Sequence, residues 1–460
     1  MNDILDYIGN GWSRFQEELK TYAAMPSIST DPGHKADLET CAEWLAEHCR
    51  GIGLAAEVVA TKGHPVVLAR TPDWGRGAKP RVLVYGHYDV QPPGNETEWE
   101  SPAFLPTERE GRLFARGASD NKGQTFAHLK AVEAWLAVRG ELPCEVCFLI
   151  EGEEEIGSPS FLAFLEEYRS LLACDAVVIS DTNMPDLAHP ALTVSLRGLI
   201  SLEVTLTGAT QELHSGIYGG AVTNPATELC HLIDALRDDA GMVTIPGFYD
   251  EVRAVCGGLA GNASEQAFDV EKFYGMGGLS LPLGQDAESV LRATTRQPTF
   301  EVNSLTAGYQ GAGIKTSVPT SATAKISCRL VPAQSPEELL TRMEQFLQVR
   351  CPTGLILSLK RGFNAKPYGL PPSTPWTEVA VEALRKGFGH EPVLRGEGVT
   401  IPVVPWLRES LGAEALLMGF ALPEDNMHGP NESISLAALS AGMRTSAWFW
   451  ELCARFTGTR

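Results

Sequence analysis

No apolar run in this 460-residue chain is long enough to cross a bilayer, which argues against a membrane-spanning protein. Met1-Asn2-Asp3-Ile4-Leu5-Asp6 lacks the basic-then-apolar order of a secretory signal, so none is expected. Basic residues are scarce. Lys plus Arg number 37 against 57 Asp plus Glu, a net charge of −20 that disfavours nucleic acid and anionic membrane and favours cations. The ten cysteines are scattered, and many stand in apolar surroundings as buried thiols do. Cys144 and Cys147 form a lone C-x-x-C with no second pair to close a zinc site, and Cys147 falls in an apolar run that reads as a core strand. A reducing cytoplasm is the expected compartment. No internal repeat or low-complexity tract is evident.

What is present is an ordinary globular mix, 44 % apolar and 20 % charged, with length enough for two domains. Residues 12–50 read as helical, interrupted by a loop over Pro26–Gly33, with Leu38, Cys41, Leu45 and Cys49 at helical spacing. Val66–Ala69, Val82–Tyr85, Val146–Ile150 and Ala176–Ile179 are short apolar runs typical of buried strands, and helices fall between them. That alternation predicts an α/β sheet, whose chemistry collects at strand ends. After Asp181 the character changes. Leu192–Leu196 and Ile200–Leu206 read as an antiparallel pair joined near Gly198, and Asn224-Pro225 opens a helix. Residues 257–290 read as long loops with short helices, Ala322–Leu330 and Leu355–Leu359 as strands, and Ser335–Val349 as a helix. Val403-Val404 and Leu416–Phe420 read as further core strands. The simplest division has a first catalytic part at 1–189, an inserted α+β domain at 190–362, and the rest of the catalytic domain at 363–460.

One stretch demands an explanation: Glu151-Gly152-Glu153-Glu154-Glu155-Ile156-Gly157-Ser158, hanging off the strand at Val146–Ile150. Four carboxylates in five positions are unfavourable unless a cation neutralises them or a pKa rises; a solvated acidic turn is the plain alternative. The ends of the neighbouring strands carry His87 with Asp89 and Asp181. On an extended chain His87 and Asp89 face one side, so Asp89 suits the carboxylate that orients a metal-bound imidazole. Asp120 stands where a loop enters a helix, and His428 in a loop signal, Asn426–Glu432. Singly, such a His is more often structural and such an Asp a helix cap. Together they form a mixed nitrogen and oxygen set that suits zinc, with manganese or cobalt as alternatives.

Gly86-His87-Tyr88-Asp89-Val90-Gln91-Pro92, Arg116–Gly123, Glu151–Ser158, Ser180-Asp181 and Leu213-His214-Ser215-Gly216 resemble the signature segments of the two-metal aminoacylase, carboxypeptidase and dipeptidase family, metallopeptidase family twenty. The branch most similar is that of cytosolic nonspecific dipeptidase and carnosinase. The resemblance runs from about residue 15 to 450, with the motifs in the expected order. It implies a phosphorylase/hydrolase-like mixed-sheet catalytic domain with an inserted ferredoxin-like α+β lid and dimerisation domain. It also implies two divalent metal ions, zinc above all. His87 and Asp181 match ligands of one, His428 and Glu155 of the other, and Asp120 the bridge. Counting back from Gly157-Ser158 puts Glu154 at the general base and leaves Glu151 and Glu153 as bystanders. A cis peptide is implied at Asp120-Asn121. Arg329 resembles the group that holds a substrate carboxylate, its plain alternative being a surface charge on an outward strand position. His214 resembles a histidine that reaches across a homodimer to the scissile carbonyl. Thr400 lies in Gly396–Pro402, which resembles a substrate-contacting loop; there Gly398-Val399-Thr400 replaces the family's Gly-Gly-Ser and adds bulk.

The reading that follows is a metal-dependent hydrolase of dipeptides with a free C-terminal carboxylate, using a water that bridges the metals and a Glu base. Carboxypeptidase action or deacylation of N-acyl amino acids would use the same residues. A silent metal-binding scaffold and a two-metal phosphoesterase are alternatives from other classes; the latter lacks the expected basic phosphate contacts.

Overall fold

The computed structural model describes residues 1–252, 268–371 and 373–456. Cys256 lies outside them. Two sheets organise the chain. The larger has nine strands, in the order Ala55–Val59, Val66–Arg70, Glu145–Glu151, Arg81–His87, Ala176–Ile179, Glu414–Leu417, Ala191–Leu196 and Tyr368–Gly369, with Val393–Glu397 also paired to Ala191–Leu196. Its centre is parallel: Arg81–His87 runs alongside both Glu145–Glu151 and Ala176–Ile179. These strands are apolar without alternation because both faces are buried. Helices Lys35–Gly51, Gln124–Arg139 and Pro375–Phe388 pack on the sheet, and Leu436–Cys453 packs across the last two. The result is one continuous apolar core.

The smaller sheet is antiparallel, in the order Thr299–Ala307, Ser321–Leu330, Gly198–Thr207 and Ile356–Arg361. Helices Pro225–Asp234 and Pro336–Val349 pack against it. In chain order this is the βαββαβ arrangement expected of a ferredoxin-like unit. Its strands alternate buried and open positions, as a sheet covered on one face should. Its core, from Ile200 to Leu347, is separate from the first.

Two expectations are corrected. Ala191–Leu196 and Gly198–Thr207 do not pair as a hairpin: the first lies in the large sheet, the second in the small one, and the chain crosses between them at Arg197. Both runs are apolar enough to be core strands, and nothing local says that two cores are involved. We therefore place the start of the inserted unit at Gly198 rather than 190. Val403 and Val404 begin a helix, Val403–Leu411, instead of a strand. Pro405 could not donate within a sheet interior but fits a first helical turn, and Val403, Val404 and Leu407 bury one helical face. A first helix, Asn2–Asn10, was also not anticipated; it buries Ile4 and Ile8.

The parallel register sets three strand ends side by side. His87 is the last residue of one strand and pairs with Glu151, while Ile179 pairs with Tyr85 two residues earlier. Gly86 permits the close approach of the helix that follows Asp120: a Cβ there would lie 2.1 Å from Thr125 Oγ1.

Candidate metal centre and substrate site

Asp120 stands at the middle of the cluster. It takes an extended conformation inside a kinked turn, Ala118–Gly123, and the Asp120–Asn121 peptide is cis, as the resemblance implied. Its two oxygens divide between two histidines: Oδ1 is 3.1 Å from His87 Nε2, and Oδ2 is 2.9 Å from His428 Nε2. Asp181 Oδ1 lies 3.9 Å from His87 Nε2, and Glu155 Oε2 lies 3.3 Å from His428 Nε2. Two His–carboxylate sets thus share one carboxylate. The five residues proposed as ligands are brought together from five separate segments.

The supports around them fix their orientation. His87 Nδ1 faces the Asp89 backbone oxygen at 3.0 Å, and a ring N–H donated there leaves Nε2 free for a ligand. The Asp89 carboxylate is farther from that nitrogen, at 3.4 Å. It instead accepts the backbone N–H groups of Glu154 and Glu155, at 3.2 and 3.1 Å. Asp89 therefore orients the ring mainly through its carbonyl and holds the acidic turn through its side chain. Asn121 Nδ2 donates to Asp181 Oδ1 at 2.9 Å, and Gln91 Nε2 to Glu155 Oε2 at 2.8 Å.

The acidic stretch divides clearly. Glu151 is buried and accepts from Tyr85 and Ser158 hydroxyls; burial pushes its carboxyl up to about 8. Glu153 faces away from the cluster and accepts the N–H groups of His64 and Ser160, both at 3.0 Å. Glu154 and Glu155 face the cluster. Burial raises both carboxyls, Glu154 far above the usual range, where Asp181, Glu155 and Asp120 add to the effect against the pull of His87. Around His87, burial alone would lower the pKa, but Asp120, Asp181 and Asp89 outweigh it and raise it well above the ordinary value. His428 rises to about 10 through Asp120 and Glu155. Glu155 Oε1 is buried without a hydrogen-bond partner. An orphaned carboxylate oxygen, a shared Asp and two glutamates that burial makes hard to ionise are what a pair of divalent cations would resolve.

Sequence reasoning missed the residue that holds this arrangement. Glu432 is buried, and its carboxylate accepts from Arg116 Nη1 and from the backbone N–H groups of Gly117, Ser119 and Asp120. Arg116 also donates to the carbonyls of His428 and Gly429. One ion pair thus ties the Asp120 turn to the His428 loop. Both residues stood inside quoted motifs, but no periodicity distinguishes a buried Arg–Glu pair from surface charges.

Arg329 and Thr400 are also brought together: Arg329 Nη1 donates to Thr400 Oγ1 at 2.6 Å, and Thr400 Oγ1 donates to the Arg197 carbonyl at 2.7 Å. His214 is not part of the cluster in its own chain. It is exposed and caps the short helix Ser215–Tyr218, accepting the Gly216 N–H on Nδ1. Glu18, His48 and Glu133 form a second group of potential ligands, but the Lys130 ammonium occupies its centre, with partners in all three. Cys147 is a buried strand residue whose thiol burial pushes up, which does not suit a redox or metal role.

Comparison with known proteins places the chain in a peptidase family. The model of "Peptidase family M20/M25/M40" matches residues 83–451. The human Beta-Ala-His dipeptidase is 30 % identical over 98 % of this chain and 92 % of its own. A Cys-Gly metallodipeptidase of Candida albicans is 28 % identical over 97 % of this chain and 96 % of its own. Among solved structures, a metallo-carboxypeptidase from Sulfolobus solfataricus superposes with a TM-score of 0.83 at 31 % identity, covering 96 % of this chain and 99 % of that one.

Proposed function

The chain belongs to peptidase family M20/M25/M40, and from that premise we propose that it is a metal-dependent dipeptidase acting on peptides with a free C-terminal carboxylate. The observation that carries this is Asp120, whose two oxygens face His87 and His428 separately. His87, Asp120 and Asp181 would hold one divalent cation, and His428, Asp120 and Glu155 a second; imidazole with carboxylate favours zinc, with manganese or cobalt as alternatives. Bound there, the cations supply Lewis acidity and lower the pKa of water.

The chain's own groups do the rest. Glu154, which feels the charge of His87 and of the ligand carboxylates, takes a proton from the attacking water and returns it to the leaving amine. Arg329 pairs with the substrate carboxylate, and Thr400 holds its guanidinium in place. His214 has no role within its own site. We assign it to the site of a second copy in a homodimer formed through the inserted domain, where it would stabilise the oxyanion. Two of the relatives are named dipeptidases, and on that likeness we place dipeptides ahead of N-acyl amino acids as substrates. The buried thiols Cys41, Cys49 and Cys328 fit a reducing, cytoplasmic setting.

The test is a small panel of dipeptides, dipeptide amides and N-acetyl amino acids, assayed with metal, after chelation, and after metal is restored. Dipeptide cleavage that is lost and then recovered supports the proposal. Cleavage only of N-acetyl amino acids would reassign the reaction to deacylation, and chelator-resistant cleavage would refute metal dependence.

A further inference from the structure

Beside the Gly396–Thr400 loop lies a cavity of about 650 Å³, between the large sheet and residues 268–296 of the inserted unit. Phe268, Phe273, Met276, Leu291 and Val399 give it apolar walls. Asn183, two residues beyond Asp181, lines one side, and Val399, the neighbour of Thr400, lines another. It therefore adjoins the segment that follows Asp181 and the loop whose Thr400 accepts from Arg329.

The cations on its walls are not equivalent. Lys272 pairs with Glu424, Arg395 with Glu397, and Arg296 with Glu288. Arg197 has no carboxylate within ion-pairing distance among the described residues. Its Nε donates to the Gly398 carbonyl and its Nη1 to the Ala293 carbonyl, at 3.1 and 3.4 Å. Nη2 has no hydrogen-bond partner among those the structure gives it. The side chain is half-buried; burial first and the nearby Arg329 charge second pull its pKa down to about 10, against an upward pull from the Glu301 carboxylate. A half-buried cation beside a like charge, with no carboxylate in ion-pair contact, favours an added anion between or beside the two. Arg329 is already assigned to the substrate's terminal carboxylate. A second guanidinium within the same loop network therefore has capacity for a second carboxylate.

We propose that Arg197 recognises a side-chain carboxylate on the C-terminal residue of the substrate, with the methylene shaft lying along Val399 in the cavity. The preferred substrates are then dipeptides ending in an acidic residue. This rests on the dipeptidase reading above and narrows it.

Isosteric ligands test it. Binding of Ala-Glu and Ala-Gln is measured by calorimetry on the metal-loaded full chain carrying Glu154→Gln, so that no turnover intervenes. Ala-Glu should bind about tenfold tighter than Ala-Gln, since only the charge differs. Arg197→Gln in the same background should bring the ratio close to one, whereas Arg197→Lys should keep part of it. Equal binding of the two ligands, or an unchanged ratio in Arg197→Gln, overturns the proposal and leaves Arg197 as a clasp for the Gly398 loop. Hydrolysis of Ala-Gln by the unmodified chain, run in parallel, reports on the dipeptidase reading by itself.

Discussion

Replacing Glu432 by Gln should be among the most damaging changes in the catalytic unit, although Glu432 is not placed among the ligands. Its Oε1 accepts from Ser119 N and Asp120 N, both at 3.0 Å. Its Oε2 accepts from Arg116 Nη1 and Gly117 N, both at 2.8 Å. Glutamine keeps one oxygen and turns an NH₂ group on two donors, so two of the four bonds are lost whichever way the amide lies. Each is a bond to a charged acceptor, worth about 1.5–3 kcal/mol. Arg116, 2 % exposed, also loses its counter-ion, and breaking one side of a buried pair costs about 3–5 kcal/mol. These two figures describe the same loss from two sides and do not add, so about 4 kcal/mol is expected. Urea unfolding is the assay, with metal chelated so that altered metal affinity does not contribute. It should be run near pH 8, because burial pushes the Glu432 carboxyl up to about 7 and the ionised form must be compared. Arg116→Met combined with Glu432→Gln should lose less than the sum of the two single changes. A loss under about 1 kcal/mol in Glu432→Gln would refute the claim that this pair holds the Asp120 turn.

Other changes separate positions that look alike in sequence. Glu153→Gln should leave kcat within about threefold and cost about 1–2 kcal/mol, because the side chain faces away from the cluster and loses only one of two backbone acceptor bonds; steady-state rates and urea midpoints check it. Arg329→Met should raise KM for a dipeptide far more than it lowers kcat, by about a hundredfold in kcat/KM, and should abolish discrimination against the dipeptide amide. His48 is held neutral: burial and Lys130 lower its pKa from 6.5 to about 4. The unfolded chain binds a proton there that the folded chain refuses, so this contribution to stability is complete above about pH 6.5 and falls as the pH drops toward about 4. His48→Gln should flatten the unfolding free energy across that window, and an unchanged slope would contradict it.

How much was legible in the sequence depends on whether a residue acts through local pattern or through distant contact. The strand ends at His87, Glu151 and Asp181 were readable because parallel, doubly buried strands are short apolar runs with chemistry at their tips. Three strands and both helices of the βαββαβ unit were readable from alternation and caps such as Asn224-Pro225; the strand Thr299–Ala307, whose burial does not alternate, was not, and the arrangement itself came from the family resemblance. The crossover at Arg197 was not. Its flanking strands have the composition of a hairpin, and only tertiary pairing sends them to different sheets. Val403-Val404 failed for the opposite reason: two β-branched residues outweighed Pro405, which forbids a sheet interior. Glu432 was invisible as a keystone because its four donors come from residues more than three hundred positions away in the chain. Asp89 was legible as a partner of His87. That its carboxylate mainly holds the backbone of Glu154 and Glu155 could be seen only in three dimensions.

The division of labour within the acidic stretch is the centre of the account. Glu154 is read as the group that moves the proton and Glu155 as a ligand, one residue apart on the same turn. The direct test is Glu154→Gln, assayed together for bound metal and for dipeptide turnover. Two equivalents of divalent metal should still be bound, with turnover lowered by about a thousandfold or more. Turnover close to that of the unmodified chain, or activity lost only because metal is lost, would contradict it.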